Sequence, residues 1–174
     1  LQNTIYDQEG KQVATQSRSF DLAAQGVQSF EADFKIKNPT LWQGRKNPYL
    51  YKVVSRLVRD GKVIDEVVQP LGLRKYEIVA AKVLSEWREI SDVRRYPHQD
   101  WWELGSALKN ENHDFDLATI MDIGATTVRF AHYQQSDYLY SRCDSLGLII
   151  WAEIPFVNRV SGQEAENARN QLRD

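Results

Sequence analysis

The stretch that decides the fold is residues 112–152, NHDFDLATIMDIGATTVRFAHYQQSDYLYSRCDSLGLIIWA, in which helical and strand patterns alternate. A first helix is predicted to begin near residues 112–114, whose side chains suit an N-cap, and to end at Gly124. Its apolar positions recur at helical spacing, at Leu117, Ile120 and Met121. The β-branched run 126–130 that follows predicts a strand.

The pattern then repeats once. Ser136 is the predicted N-cap of a second helix that ends at Gly147. The apolar face of this helix carries Leu139, Cys143 and Leu146. Residues 148–152 form a nearly continuous apolar run, which is typical of a parallel strand buried on both faces. Residues 161–164, Ser-Gly-Gln-Glu, have the form of a capping box that opens a last helix. The order predicts a βα-repeat, either doubly wound or a barrel.

The chain before about residue 80 has a different rhythm, that of antiparallel β-structure. Residues 7–11 form a predicted turn between two short extended runs, and Asp60-Gly61 is a strong hairpin signal. Further strands are predicted at 29–36, 49–58 and 62–68. Short strands with turn signals at this spacing indicate a small sandwich.

Composition excludes several classes of protein. The 174 residues carry 22 Lys and Arg against 24 Asp and Glu, and the net charge of −2 argues against a nucleic-acid partner. No run of about 18 apolar residues could span a membrane. A single cysteine, Cys143, cannot form an internal disulfide, and with 3 His it makes a structural zinc site improbable. No signal-peptide pattern opens the chain at Leu1, so we expect such a signal to be absent or already removed.

Two sets of motifs resemble glycoside hydrolase family 2. The first set resembles the immunoglobulin-like domain that precedes the barrel in that family: Leu41-Trp42, residues 47–51 (NPYLY), Asp60-Gly61 and residues 71–74 (LGLR). The second set resembles the first barrel segments: residues 127–133 (TVRFAHY), 143–148 (CDSLGL) and 151–155 (WAEIP). The family contains β-galactosidases, β-glucuronidases and β-mannosidases. Residues 98–101 and 152–156 most resemble bacterial β-galactosidases.

The resemblance implies a β-sandwich (immunoglobulin-like) followed by an incomplete α/β (TIM-barrel) segment. We expect the sandwich to occupy residues 1–80 and the N-terminal portion of the barrel to occupy residues 81–174. A complete barrel needs about 250 residues, so only about three of eight βα units would be present.

Residues 84–97 depart from the family pattern, in which a Phe-Leu-Asn-Gly hairpin precedes a strand ending in Gly-Val-x-Arg-His. Some choices of synonymous codons for this stretch contain the family pattern in another reading frame. Translated from one base later, they give Phe-Leu-Asn-Gly-Glu-Lys-Tyr-Pro-Met-Tyr-Gly-Val-Thr and the first two bases of an Arg codon. Trp87 has a single codon, which forces the Gly. We hypothesise a compensated double frameshift, with ordinary divergence as the alternative; DNA codons incompatible with the shifted reading would exclude the frameshift.

As written, the same stretch is highly charged. Its ionisable residues include Glu86, Arg88, Glu89, Asp92, Arg94 and Arg95. Because unpaired charges are costly inside a barrel, we expect a loop or a surface helix here and not a central strand.

The resemblance places both catalytic glutamates on later barrel strands, beyond Asp174, so no catalytic residue is expected in this chain. It implies that His132 and His98 contact the sugar. Glu153 is implied to be a strand-end carboxylate with a supporting role in the site and not the nucleophile; a structural hydrogen-bonding role is the alternative.

Two loops could complete the substrate-binding set. Asp100 and Trp101 combine a carboxylate with an aromatic platform, which suits a sugar, although a solvated loop explains them equally well. Asn158 follows the third predicted strand and could line the site. We expect Arg129 to pair with a carboxylate and Cys143 to be a buried structural thiol.

No metal or cofactor is expected. Where some family members have a Glu and a His that bind a metal ion, this chain has residues 156–159, FVNR. The expected partner is a β-galactoside substrate in the intact parent, with no nucleic acid and no membrane, and the incomplete barrel could self-associate. The alternatives are β-glucuronidase or β-mannosidase activity, or a non-catalytic module that binds carbohydrate or another chain.

Overall fold

The computed structural model describes residues 1–79, 82–85, 88–89, 100–155, 162 and 164–173. The chain divides into two compact units. The first consists of Leu1–Trp42 and Tyr49–Arg74, and the second of Gln43–Pro48 and Lys75–Asp174. No helix in the described part of the chain is long and apolar enough to cross a membrane.

The first unit contains sandwich-type antiparallel strands in one four-stranded sheet. The strands are β1 (Gln2–Tyr6), β2 (Gln12–Ser17), β3 (Tyr51–Arg59) and β4 (Lys62–Leu71), in the order β2-β1-β3-β4. The predicted turn between β1 and β2 is confirmed, and Asp7 Oδ1 accepts hydrogen bonds from the backbone N–H of Glu9 and Lys11. The Asp60-Gly61 hairpin is also confirmed, with positive φ at both residues.

The buried part of this unit lies around the middle of the sheet. Ile5, Tyr51 and Val54 are buried, and so is Trp42, whose ring lies 4.2 Å from the Arg74 guanidinium. The backbone N–H of Trp42 donates to the carbonyl of Leu73, which fixes the segment before β3 against the segment after β4.

The strand predicted at 29–36 is wrong, because these residues lie in a loop. Phe30 instead contacts Phe20 at 4.7 Å between ring centroids, and the Arg18 guanidinium lies over its ring. The apolar alternation is therefore used in side-chain packing within the loop and not in a strand ladder, which needs a partner strand in register.

A second, three-stranded antiparallel sheet belongs to the second unit. It consists of β5 (Tyr76–Val79), β6 (Lys82–Ser85) and β7 (Arg88–Glu89). The loop or surface helix predicted from residue 84 is therefore wrong at 84–85 and 88–89, which pair as strands. A backbone ladder outside a closed barrel makes no demand for apolar side chains, so charge did not prevent pairing. Residues 90–99 lie outside the described residues.

The rest of the second unit has the predicted order of helices and strands. It contains α1 (Asn110–Asp122), β8 (Thr127–Phe130), α2 (Asp137–Leu146), β9 (Ile149–Ala152) and α3 (Ala165–Arg173). Strands β8 and β9 are parallel, as a partial TIM barrel requires. Side chains of α1, β8, α2 and the residues just before β8 and β9 form one core cluster: Leu117, Ile120, Ala125, Val128, Phe130, Leu139, Cys143 and Leu148.

The ends of α1 and α2 follow local sequence signals, with one exception, while residues 161 and 163 of the capping box predicted for the last helix lie outside the described residues. Ser136 caps α2 by accepting from the Leu139 N–H, and Gly147 ends α2 in the left-handed conformation, as predicted. Helix α1 begins earlier than predicted, with Lys109 at the N-cap. Asn112 is not the cap; its side-chain oxygen accepts from the Lys109 N–H one turn earlier.

Strand β9 is less buried than predicted. Trp151 is 55% exposed and Ala152 is exposed, whereas β8 is largely buried. Within the described residues β9 pairs on one edge only, with β8, so the expectation of burial on both faces is wrong here.

Candidate functional site

Two side chains from the predicted site come together at one edge of the β8–β9 pair. Because the strands are parallel, their carboxyl ends meet at the same edge, which is where barrel enzymes place their active sites. His132 follows β8 by two residues, and Glu153 directly follows β9. The register pairs Phe130 with Ala152, so both residues leave the sheet at the same level.

The Glu153 carboxylate binds two groups of the β8 segment. One oxygen, Oε1, accepts from Nε of Arg129, which fulfils the expectation that Arg129 pairs with a carboxylate. The other, Oε2, accepts from the backbone N–H of His132 at 3.0 Å. The Arg129 guanidinium, followed by the His132 N–H, lowers the pKa of Glu153. Glu153 is thus an ionised carboxylate with both oxygens engaged.

His132 presents its ring to solvent while its backbone is held in place. Its side chain is 43% exposed, against 18% for Glu153 and 21% for Arg129. The ring nitrogen Nδ1 lies 3.5 Å from Glu153 Oε2. The backbone φ angle of His132 is 71°, which is in the left-handed region. An imidazole in this position can exchange hydrogen bonds with a sugar hydroxyl.

Asp100 and Trp101 lie on a short loop before α1. Trp101 and Gly105 exchange two backbone hydrogen bonds across a tight turn, and the Trp101 ring contacts Phe115 edge-on at 5.4 Å. The turn displays Trp102, which is 84% exposed and which sequence reasoning did not single out. The feature of the sequence that could have indicated Trp102 is the Trp-Trp pair directly after the Asp100 carboxylate.

The start of α1 lies beside the start of α2. His113 Nε2 lies 3.3 Å from Ser136 Oγ, and the Tyr138 hydroxyl donates to Asp114. The start of α2 lies at the carboxyl end of β8, because α2 follows that strand in the chain. The start of α1 lies beside the start of α2, so the loop that carries Asp100 and Trp101 lies at the same end of the βα layer as His132. The structure does not bring Asp100 or Trp101 into hydrogen-bond contact with His132 or Glu153.

The other predicted site residues, His98 and Asn158, lie outside the described residues. Among the described residues no group of three or more His, Cys, Asp or Glu side chains could hold a metal ion. Cys143 is fully buried, and desolvation raises its pKa to about 12, so its thiol is inert at neutral pH.

Comparisons with known proteins match both halves of the chain. Residues 1–74 match the family model "Glycosyl hydrolases family 2", and residues 89–173 match "Glycosyl hydrolases family 2, TIM barrel domain". A crystal structure described as a "putative beta-galactosidase" from Bacteroides fragilis is 71% identical, with a TM-score of 0.89, and the match covers 99% of this chain and 26% of that one.

Two curated relatives carry two different activities in their names. A β-glucuronidase from Bacteroides fragilis is 39% identical over 84% of this chain and 21% of its own length. The β-galactosidase BoGH2A from Bacteroides ovatus is 26% identical over 87% of this chain and 18% of its own length. The chain thus spans about a fifth of the length of these relatives, and with both of its halves matched it belongs to glycoside hydrolase family 2.

Proposed function

We propose that this chain is part of a retaining exo-β-galactosidase that hydrolyses terminal β-D-galactosides. The observation that carries the proposal is the cluster of His132, Glu153 and Arg129 at the carboxyl ends of two adjacent parallel strands, in a chain of this family. The identity of 71% to the β-galactosidase-named crystal structure supports galactose as the sugar.

The chemistry requires two carboxyl groups about 5–5.5 Å apart, one as nucleophile and one as acid and base. Glu153 does not suit either role, because both of its oxygens are engaged by neighbouring donors. The family resemblance assigns the two roles to glutamates beyond Asp174. We therefore propose that residues of this chain bind and orient the sugar and that the isolated chain is inactive.

The proposed sugar-binding set is the one expected from the sequence. His132 would donate a hydrogen bond to a hydroxyl, and Asp100 and Trp101 would offer a carboxylate and an aromatic face. The remaining members are His98 and Asn158, with Glu153 in a supporting role. Donors that are oriented before the substrate arrives cost no reorganisation during the reaction, which is how they lower the barrier.

β-Glucuronidase activity is the second candidate, supported by the relative of that name that is 39% identical. A glucuronide carries a carboxylate that calls for a cation in the site. Arg129, which lies near the carboxyl end of β8, is already paired with Glu153. Its charge is therefore not free to bind a sugar carboxylate, which favours a neutral sugar. β-Mannosidase activity has no such supporting observation.

The test is an assay of the full-length protein with p-nitrophenyl β-D-galactoside, glucuronide and mannoside. We expect the galactoside to have the highest kcat/KM, and a higher value for the glucuronide would replace the proposal with the second candidate. Turnover by the 174-residue chain alone would refute its proposed inactivity. If none of the three is hydrolysed but galactose still binds, a non-catalytic carbohydrate-binding role is the better explanation.

A further inference from the structure

We propose that Glu153 is a positioning residue, which holds the backbone of His132 in a strained turn and thereby aims the imidazole out of the strand end. The claim about the backbone stands on the geometry alone. The claim that the aimed ring meets a sugar rests on the proposed function.

The turn at His132 is of an uncommon kind. The Tyr133 N–H donates to the Ala131 carbonyl at 3.0 Å, which closes a three-residue turn with His132 at its centre. With φ at 71°, this is the γ-turn that is rare and strained. A non-glycine residue in such a conformation is strained and persists only where its surroundings hold it.

Glu153 is the group that holds it. The hydrogen bond at 3.0 Å from the His132 N–H to Glu153 Oε2 ties the centre of the turn to the end of β9. The same oxygen lies 3.5 Å from the ring nitrogen Nδ1 but is not hydrogen-bonded to it, so Glu153 constrains His132 through its backbone. Rotating the peptide out of the γ-turn would break the backbone contact.

Arg129 orients Glu153 for this task. Its Nε binds the opposite carboxylate oxygen, and both side chains are about four-fifths buried. The carboxylate therefore cannot rotate without losing a charged hydrogen bond. A structural ion pair between β8 and β9 would explain the Arg129 contact alone; it would not explain why the second oxygen binds the strained residue.

The first experiment needs no enzymatic activity. Backbone amide exchange at His132 is measured by ¹H–¹⁵N NMR in the 174-residue chain and in Glu153→Ala, Glu153→Gln and Glu164→Gln. We expect Glu153→Ala to accelerate exchange at His132 by at least about tenfold, because its N–H loses its acceptor.

The two other variants make the result specific. Glu153→Gln keeps an oxygen that can accept from the His132 N–H, so we expect a smaller acceleration. Glu164 is a carboxylate that accepts from the Asn167 side chain and not from His132, so its replacement should leave exchange at His132 unchanged. Unchanged exchange at His132 in Glu153→Ala, with the other amides of β8 as slow as in the parent chain, would overturn the proposal.

The second experiment is a double-mutant cycle in the full-length enzyme with Glu153→Gln, His132→Ala and both. Misplacing a substrate contact by about 1 Å can cost about 100-fold in rate, and we expect a loss of this order in kcat/KM for each single variant. If Glu153 acts through His132, the double variant should be no slower than His132→Ala. Multiplying losses would show an independent role and overturn the positioning claim.

The two experiments fail separately. An enzyme that hydrolyses no glycoside would remove the proposed function, while the exchange measurement would still decide whether Glu153 holds the His132 turn. An active enzyme whose Glu153→Gln variant keeps full kcat/KM would leave the function in place and exclude the positioning role.

Discussion

Strands β4 and β8 are both rich in β-branched residues, yet only β8 lies in a core. Four apolar residues of β4 are about half exposed: Val63, Ile64, Val67 and Val68. In β8, Thr127, Val128 and Phe130 are all at most 5% exposed. Among the described strands β4 and β8 are both outermost in their sheets, but the β8 side chains pack with α1 and α2. Composition therefore predicts that a strand forms, and the neighbouring elements decide how much of it is buried.

The largest expected effect tests this contrast directly. Leu117→Ala should lower the free energy of unfolding of the second unit by about 2–5 kcal/mol, because Leu117 is fully buried in the core cluster and alanine leaves a cavity. Val67→Ala on β4 should cost less than about 1 kcal/mol, since half of its surface is already in water. Urea unfolding followed by circular dichroism measures both changes. Equal losses would break the comparison.

A buried residue of the first unit sharpens the same point. Val54 lies on β3 beside β4 and is 4% exposed. Val54→Ala should destabilise the first unit clearly more than Val67→Ala does, in the same unfolding measurement. If the two substitutions cost the same, burial is not what separates core from edge in this unit.

An effect of similar size comes from two backbone segments of the second unit that approach each other closely. Gly147 ends α2 with φ at 77°, and a methyl group on it would overlap the carbonyl of Gly44. Gly44 is part of the segment 43–48, and in the same segment Arg45 donates to the Ala125 carbonyl at 2.9 Å. Gly147→Ala should therefore carry both the left-handed strain, about 1–2 kcal/mol, and an overpacking cost of about 1–3 kcal/mol.

Gly124 is the matched control for this substitution. It ends α1 with φ at 80°, and an added methyl group would meet no atom within 4 Å. Gly124→Ala should show the strain alone, about 1–2 kcal/mol. Thermal unfolding of the two variants gives the difference, and equal losses would mean that the Gly44 contact adds nothing.

The sequence predicted those features that depend on neighbours along the chain. Ser136, Gly147 and the Asp60-Gly61 turn act through backbone contacts within a few residues, and all three were found as predicted. The strand expected at 29–36 failed because its formation depends on a distant partner strand that must lie in register.

The same limit applies to the candidate site. The motif indicated His132 and Glu153, and the parallel βα order placed both at one sheet edge. The strained turn at His132 could not be predicted, because it depends on a hydrogen bond between two different strand ends. Trp102 was missed for a related reason: its exposure is a property of the folded loop and not of the Trp-Trp pair itself.

The smallest expected effect is a dependence of stability on pH in the helical layer. Asp114 of α1 accepts from the Tyr138 hydroxyl and from Arg142 Nε of α2, each at 2.7 Å. The Tyr138 hydroxyl first, and then Arg142, lower the pKa of Asp114 below its ordinary value of 3.8. The folded state thus favours the ionised carboxylate. Its contribution is complete above the unfolded pKa and is lost as pH falls through the folded one.

Asp114→Asn removes this contribution and should lower the melting temperature above about pH 5, with a difference that shrinks below about pH 4. Because the pair is exposed, the shift should be well below that of Leu117→Ala. Asp122→Asn is the control, since a negative charge in the last turn of α1 opposes the helix dipole and its removal should act in the opposite direction. Melting curves between pH 3 and 7 distinguish the two. A difference for Asp114→Asn that stays constant across that range would show that the contact between α1 and α2 does not depend on the carboxylate charge.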